Sequence, residues 1–209
     1  MLGVVSLLKR HSIRWNVILK MAKLYFYYGA MGAAKTTHLL TTEFNYRERG
    51  HKTLVLTSAL DTRAGLNRVE SRIGIGVDAV SISNQEGLIT RVKNLQKPPY
   101  AIFVDEAQFL TIGQVEDLAS LVDDEGITVF CYGLRTDFKT GLFVGARRLF
   151  ELADTIEEIK TMCHCGRKAI MNARINNGKI VKQGEQIQIG GNESYIALCR
   201  SCWTKGYLK

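Results

Sequence analysis

A chain of 209 residues, 46% of them apolar and 23% charged, suits one medium domain with a small appendage and argues against wholesale disorder. No apolar run approaches the roughly 20 residues that a bilayer-spanning helix needs, so no membrane partner is expected. The formal net charge is +8, yet Lys9, Arg10, Arg14 and Lys20 account for four of those charges, and the +4 left for the body is too little for a duplex-binding surface; no nucleic-acid polymer is expected as a partner.

The first twenty residues, MLGVVSLLKRHSIRWNVILK, are basic and free of acids. They loosely resemble a transit peptide. The reading adopted is an upstream extension, residues 1–21, disordered, because Met21-Ala22-Lys23 looks like a natural start set against a first strand. That strand is Leu24-Tyr25-Phe26-Tyr27-Tyr28, a continuous apolar and aromatic run closed by Gly29, as a buried strand should be. A helix is expected from Lys35 to Arg49, capped by Gly50, then a strand over Thr53–Thr57. A further strand is placed around Asp78 to Ser83 and a helix over Glu86 to Leu95. Pro98-Pro99 breaks the chain ahead of the β-forming run Ala101–Asp105, followed by a helix over Thr111 to Asp124 that closes at Gly126. Ile127 to Tyr132 reads as a strand and Val144 to Ala153 as a helix.

Strands that alternate with helices imply parallel pairing. From about Thr161 the style changes to cysteine pairs flanking β-leaning segments, with Asn176-Asn177-Gly178 as a hairpin signal. The chain is therefore divided into the extension, an α/β domain over residues 22–160 and a small metal-tied lobe over residues 161–209.

Gly29-Ala30-Met31-Gly32-Ala33-Ala34-Lys35-Thr36 lies between a strand and a helix, the context a phosphate-binding P-loop requires. Its backbone N–H groups and the helix N-terminus would face phosphate oxygens, Lys35 would neutralise them, and Thr36 would ligate Mg²⁺. Ala34 stands where the pattern has glycine; its Cβ is expected to crowd the phosphates or restrict the backbone, with Gly32 restoring some freedom. The bland alternative is a chance loop with a surface lysine. Asp105-Glu106, at the end of a β-run, resembles a Walker B element: Asp105 would hold Mg²⁺ and Glu106 would face an acceptor. Two solvated acids are the alternative.

Of the five cysteines, Cys131 lies in an apolar run and reads as a buried strand residue. Cys163, Cys165, Cys199 and Cys202 form two close pairs without a secretion signal, which in a reducing compartment points to a structural Zn²⁺ site rather than disulfides; a cytoplasmic location is expected. His164 could replace one cysteine, and four unmetallated thiols are the other reading.

Taken in order, the strand followed by GxMxxxKT, Leu60-Asp61-Thr62-Arg63, Val104-Asp105-Glu106-Ala107-Gln108-Phe109, Tyr132 to Phe138, Ile189-Gly190-Gly191-Asn192 with Tyr195, and Cys199-Arg200-Ser201-Cys202 resemble thymidine kinases of the cellular, type II kind. The resemblance runs from about residue 22 to 207. It implies an α/β fold, a P-loop NTPase-like and mostly parallel sheet flanked by helices, plus a small C-terminal zinc-ribbon or lasso lobe. It implies transfer of the ATP γ-phosphate to thymidine, and to deoxyuridine, with Glu106 as general base. Asp61, Thr62 and Arg63 would face the nucleotide phosphates, and Asp105, Ala107 and Gln108 would line that side. Phe109, Phe138, Gln186, Ile187, Gln188, Ile189, Gly190 and Tyr195 would form the pyrimidine pocket, with Met31, Leu134 and Tyr195 around the thymine methyl. A homotetramer inhibited by dTTP is implied as well. Blander readings make Phe138 and Leu134 core residues, Tyr195 a strand aromatic, Arg63 a solvated charge and Ile189 apolar packing. Two other functions fit parts of the pattern: a zinc-ribbon P-loop ATPase that handles nucleic acid, and an impaired nucleotide-binding regulator marked by Ala34.

Overall fold

The computed structural model describes residues 22–61, 65–187 and 194–208. The expected extension lies outside them, as do Thr62, Arg63, Gln188, Ile189 and Gly190.

In chain order, β1 (Leu24–Tyr28) leads to α1 (Lys35–Glu48), β2 (Thr53–Ser58), β3 (Arg68–Glu70), β4 (Gly76–Asp78), β5 (Val80–Ile82) and α2 (Leu88–Lys93). Then follow β6 (Ala101–Val104), α3 (Ile112–Asp123), β7 (Thr128–Gly133), α4 (Val144–Leu152) and β8 (Thr155–Glu158). Six of these strands form one sheet in the order β5-β2-β6-β7-β1-β8. Every pairing in it is parallel.

The continuous apolar runs are explained by burial on both faces. Along β6, Ile102 and Val104 join one core while Ala101 and Phe103 join the other. β7 divides in the same way, Val129 and Cys131 against Phe130 and Tyr132. Leu88 of α2, Leu118 and Leu121 of α3 and Leu149 of α4 cover the first face. Leu39 and Leu40 of α1 cover the second, together with Val69 of β3. Cys131 is fully buried, and desolvation pushes its thiol pKa far above the usual range, as expected of a core thiol.

Some elements differ from expectation. The strand placed over Asp78–Ser83 is split: Asp78 ends β4, which pairs only with β3, and Val80–Ile82 alone enters the sheet. Asn67 makes the division, since its carbonyl accepts the Ala79 N–H (2.8 Å) and its Oδ1 accepts the Ser81 N–H (3.0 Å). Helix α2 is shorter than Glu86–Leu95 because Asp117 Oδ2 takes the Leu88 N–H (2.7 Å) just after the extended Gly87. β8 was not foreseen: its two glutamates mask an edge strand that pairs with β1. Helix α3 starts where expected, with Thr111 and Gln114 forming a reciprocal capping box.

Beyond residue 160 the strands are short and antiparallel. β9 (Thr161–Met162) pairs with β10 (Lys168–Ala169), and β11 (Met171–Asn176) pairs with both β12 (Lys179–Val181) and β13 (Tyr195–Leu198), before α5 (Arg200–Lys205). Asn177 (φ 49°) and Gly178 (φ 70°) make the predicted β11–β12 turn, with the two positive φ values a tight hairpin needs. Among the described residues no helix is long and apolar enough to cross a membrane.

Candidate active site

Parallel strands place their following loops on one edge of the sheet, and the loops after β1, β6 and β7 meet there. Residues 29–36 curl from β1 into α1. Gly32 has φ 74° and Ala34 has φ 59° and ψ 28°, so the turn keeps its left-handed geometry with alanine in place of glycine. Lys35 donates to the carbonyls of Gly29 (3.2 Å) and Ala30 (3.0 Å) across the loop. An L-residue in that conformation costs about 1–2 kcal/mol, against the 0.5–1 kcal/mol of chain entropy that glycine gives up on folding. Ala34→Gly is therefore expected to stabilise the protein by about 0.5–1 kcal/mol in thermal melts, and a lowered melting temperature would contradict the strain.

Behind the loop, the Thr36 hydroxyl donates to Asp105 Oδ2 (3.0 Å). Asp105 is buried at the end of β6, and burial, with Glu106 next to it, raises its pKa from 3.8 to about 7. Hydrogen bonds from Thr36 and the Glu106 N–H, and the charge of Lys35, oppose that rise. A hydroxyl and a carboxylate side by side are hard oxygen donors suited to Mg²⁺. A carboxyl whose folded pKa lies above its unfolded value opposes folding once ionised; the cost is absent below about pH 4, grows up to about pH 7 and is full above it. Asp105→Asn is thus expected to raise the melting temperature of the nucleotide- and magnesium-free protein more at about pH 8 than at about pH 4.5. Equal shifts at the two pH values would show that the carboxyl is not held high.

Glu106 follows in a left-handed conformation (φ 51°, ψ 39°), a strained setting of the kind that gathers at functional sites. Its Oε2 accepts from Gln108 Nε2. Gln108, itself buried, uses its Oε1 to accept the Leu134 N–H (2.9 Å), so one amide ties the carboxylate to the end of β7. Gly133 makes this possible, because a Cβ there would lie 2.8 Å from Gln108 Oε1.

Phosphate loop and acids open into one cavity of about 730 Å³, a size typical of nucleotide-scale ligands. Met31, Gly32, Ala33, Ala34, Lys35, Thr36, Asp61, Asp105, Glu106 and Gln108 line it, and so do Phe109, Leu134, Phe138, Gln186, Ile187 and Tyr195. Gly29 and Ala30 support Lys35 from outside this lining. Ala107 is 0% exposed and packs into the core, away from the cavity. Phe138 is buried as the bland reading held, and it also borders the cavity.

The structure adds residues that the sequence did not single out. Arg174, on β11 and only 5% exposed, lies with its guanidinium 3.7 Å from the centre of the Phe138 ring. It donates to Tyr195 Oη (2.8 and 3.0 Å) and to the carbonyls of Glu185 (2.8 Å) and Gln186 (3.3 Å). Asn172 accepts the Met31 N–H (2.8 Å) and donates to the Thr136 carbonyl (2.8 Å), joining the phosphate loop to β11. Gln186 donates to Asp137 Oδ2 (2.9 Å). Arg68 and Arg72 of the β3–β4 hairpin also line the cavity. A buried arginine or asparagine in a short strand carries no motif, so no local signal marked these positions.

Cys163, Cys165, Cys199 and Cys202 bring four Sγ atoms within 4.8 Å of one another, and all four thiols are free. Cys165 Sγ and Cys199 Sγ are 3.7 Å apart. That is far longer than a disulfide and close to the edge, about 3.8 Å, of a sulfur tetrahedron around a metal with 2.3 Å bonds. The Cys202 N–H donates to Cys199 Sγ (3.4 Å) and, with hydrogen bonds from the neighbouring thiols, lowers the Cys199 pKa to about 7, while burial and the same neighbours push Cys202 up to about 12. His164 flanks the cluster, with one ring nitrogen 3.7 Å from Cys163 Sγ and the other 3.7 Å from Cys202 Sγ. The set is compatible with zinc supplied wholly by the cysteines.

Comparison with known proteins agrees with this geometry. A family model described as thymidine kinase matches residues 22–203. A thymidine kinase of Rhodopirellula baltica is 51% identical over 183 residues, covering 86% of this chain and 87% of that protein. One from Legionella pneumophila is 51% identical over 190 residues (89% and 91%), and one from Novosphingobium aromaticivorans is 51% identical over 183 residues (86% and 95%). The phosphate loop, the paired acids, the aromatic pocket and the thiol cluster all fall inside the matched span, and the chain belongs to the thymidine kinase family of ATP-dependent nucleoside kinases.

Proposed function

We propose that the chain transfers the γ-phosphate of ATP to the 5′-hydroxyl of thymidine or deoxyuridine, giving dTMP or dUMP, with Glu106 as the general base. The observation that carries this reading is one cavity lined by Lys35, Thr36, Asp105 and Glu106 together with the aromatic residues Phe109, Phe138 and Tyr195.

Phosphoryl transfer asks chiefly for alignment and charge neutralisation. Loop amides and Lys35 hold the ATP phosphates. Thr36 and Asp105 would hold Mg²⁺, which neutralises charge on the phosphates when bound. Glu106 takes the 5′-OH proton as the hydroxyl oxygen attacks phosphorus. At the base end, Phe138 and Tyr195 give flat apolar faces, and the segment around Gln186, tied to Arg174, gives backbone groups for the pyrimidine edge. Groups arranged for thymine are left unpaired by cytosine, which makes deoxycytidine a poor acceptor. The four thiolates would hold a structural Zn²⁺. A nucleoside with its own triphosphate can span the cavity, which supports dTTP as inhibitor. A homotetramer and a cytoplasmic setting complete the reading on family grounds.

A radiolabelled ATP transfer assay across thymidine, deoxyuridine and deoxycytidine tests it. Labelled dTMP and dUMP with little dCMP is expected. Equal labelling of all three would sink the pocket assignment, and ATP hydrolysis without transfer would sink the kinase reading.

A further inference from the structure

We propose that Arg72 is a further catalytic residue, whose guanidinium donates hydrogen bonds to the phosphoryl group in flight; the proposal rests on the kinase reading above.

The β3–β4 hairpin is built to hold this side chain in place. Val69 is buried in the core that contains Leu39 and Leu40 of α1, so β3 is anchored on the helix that follows the phosphate loop. The tip is closed by three hydrogen bonds: Ser71 N–H to the Ile75 carbonyl (2.8 Å), Ser71 Oγ to the same carbonyl (3.1 Å), and Gly74 N–H to the Ser71 carbonyl (3.0 Å). Arg72 follows the buried Ser71 and reaches back over the loop, where its Nη1 lies 3.7 Å from the position a Cβ on Gly32 would take. Arg72, Gly32, Lys35 and Glu106 line the same cavity.

Its neighbour Arg68 is engaged by Glu70 (2.8 Å). Arg72 has no ion pair or hydrogen bond among the described residues. An arginine held by a braced turn beside a phosphate cradle, with no acid paired to it among the described residues, fits a ligand that brings its own negative charge. The planar fork of N–H groups matches two phosphate oxygens at once.

In the transfer, the bond from the γ-phosphorus to the bridging oxygen breaks and its electron pair stays on ADP. The bond from O5′ to phosphorus forms, and the hydroxyl proton passes to Glu106. Arg72 exchanges no atom; it stabilises the charge that builds on the equatorial and leaving oxygens.

The test is steady-state kinetics on the full chain with ATP, Mg²⁺ and thymidine, for wild type, Arg72→Lys and Arg72→Ala, alongside thermal melts. Arg72→Ala is expected to lower kcat by about 10³-fold, with KM for ATP and the melting temperature near wild type. Arg72→Lys should recover only part of the loss, and added guanidinium ion should partly rescue the alanine variant. Unchanged kcat in Arg72→Ala, or a raised KM for ATP at normal kcat, would overturn the proposal while wild-type turnover left the kinase reading standing. A wild-type protein that makes no dTMP would instead remove the reading on which it rests.

Discussion

Replacing Glu106 with glutamine is expected to lower kcat by about 10²–10⁴-fold, or roughly 3–5 kcal/mol of barrier, with ATP binding little changed. The substitution is almost isosteric. A glutamine carbonyl can still accept from Gln108 Nε2, and Gln108 can still accept the Leu134 N–H, so the anchor of the side chain survives. The left-handed backbone at this position (φ 51°) is no harder for glutamine than for glutamate. What disappears is the capacity to take a proton. A Glu106→Gln enzyme with near-normal turnover would show that the hydroxyl proton leaves by another route.

Removing zinc from the site proposed at the thiol cluster should act instead on the other substrate, thymidine. Structural zinc is worth about 10–16 kcal/mol in small domains that it organises, as much as the whole stability of many folded proteins. The core around the cluster is small: Ala169, Ala173 and Leu198 beside the cysteines, with Trp203 against them. β13 carries Tyr195, which lines the cavity, and β11 carries Arg174, which donates to the Tyr195 hydroxyl. Metal-stripped protein, or Cys202→Ser, is therefore expected to lose most of its thymidine affinity, a rise in KM of about tenfold or more. The ATP site should suffer less, because its loop and acids sit on the large sheet. Metal content, thymidine KM and ATP binding measured on one sample check this. A stripped protein with an unaltered thymidine KM would contradict the link.

Much of the large sheet was legible because β6 and β7 are buried on both faces and must be apolar throughout, and β1 packs its apolar and aromatic run against the same two cores. The phosphate loop, Asp105-Glu106 and the cysteine pairs were legible because their chemistry demands particular residue types at short spacing. What escaped depends on distant partners. Asn172 reaches Met31 across 141 positions, and Arg174 joins a ring at 138 to carbonyls at 185 and 186. β3 and β4 are three residues each, too short for any periodicity to register, yet they bring Arg72 to the cavity. Ala107 shows the reverse error of local reading: it neighbours Glu106 in sequence, but the short helical turn after Glu106 points it into the core. Of the two effects expected of Ala34, the backbone one is visible: the residue takes the left-handed conformation, with Lys35 bonded across the loop and Thr36 to Asp105.

A crystal structure with thymidine, Mg²⁺ and a non-hydrolysable ATP analogue is expected to place a Glu106 carboxylate oxygen within about 3.2 Å of the thymidine 5′-oxygen, with that oxygen facing the terminal phosphorus beside Lys35. A 5′-oxygen held well beyond hydrogen-bond reach of that carboxylate, with another group or bulk water taking its place, would contradict the general-base role of Glu106.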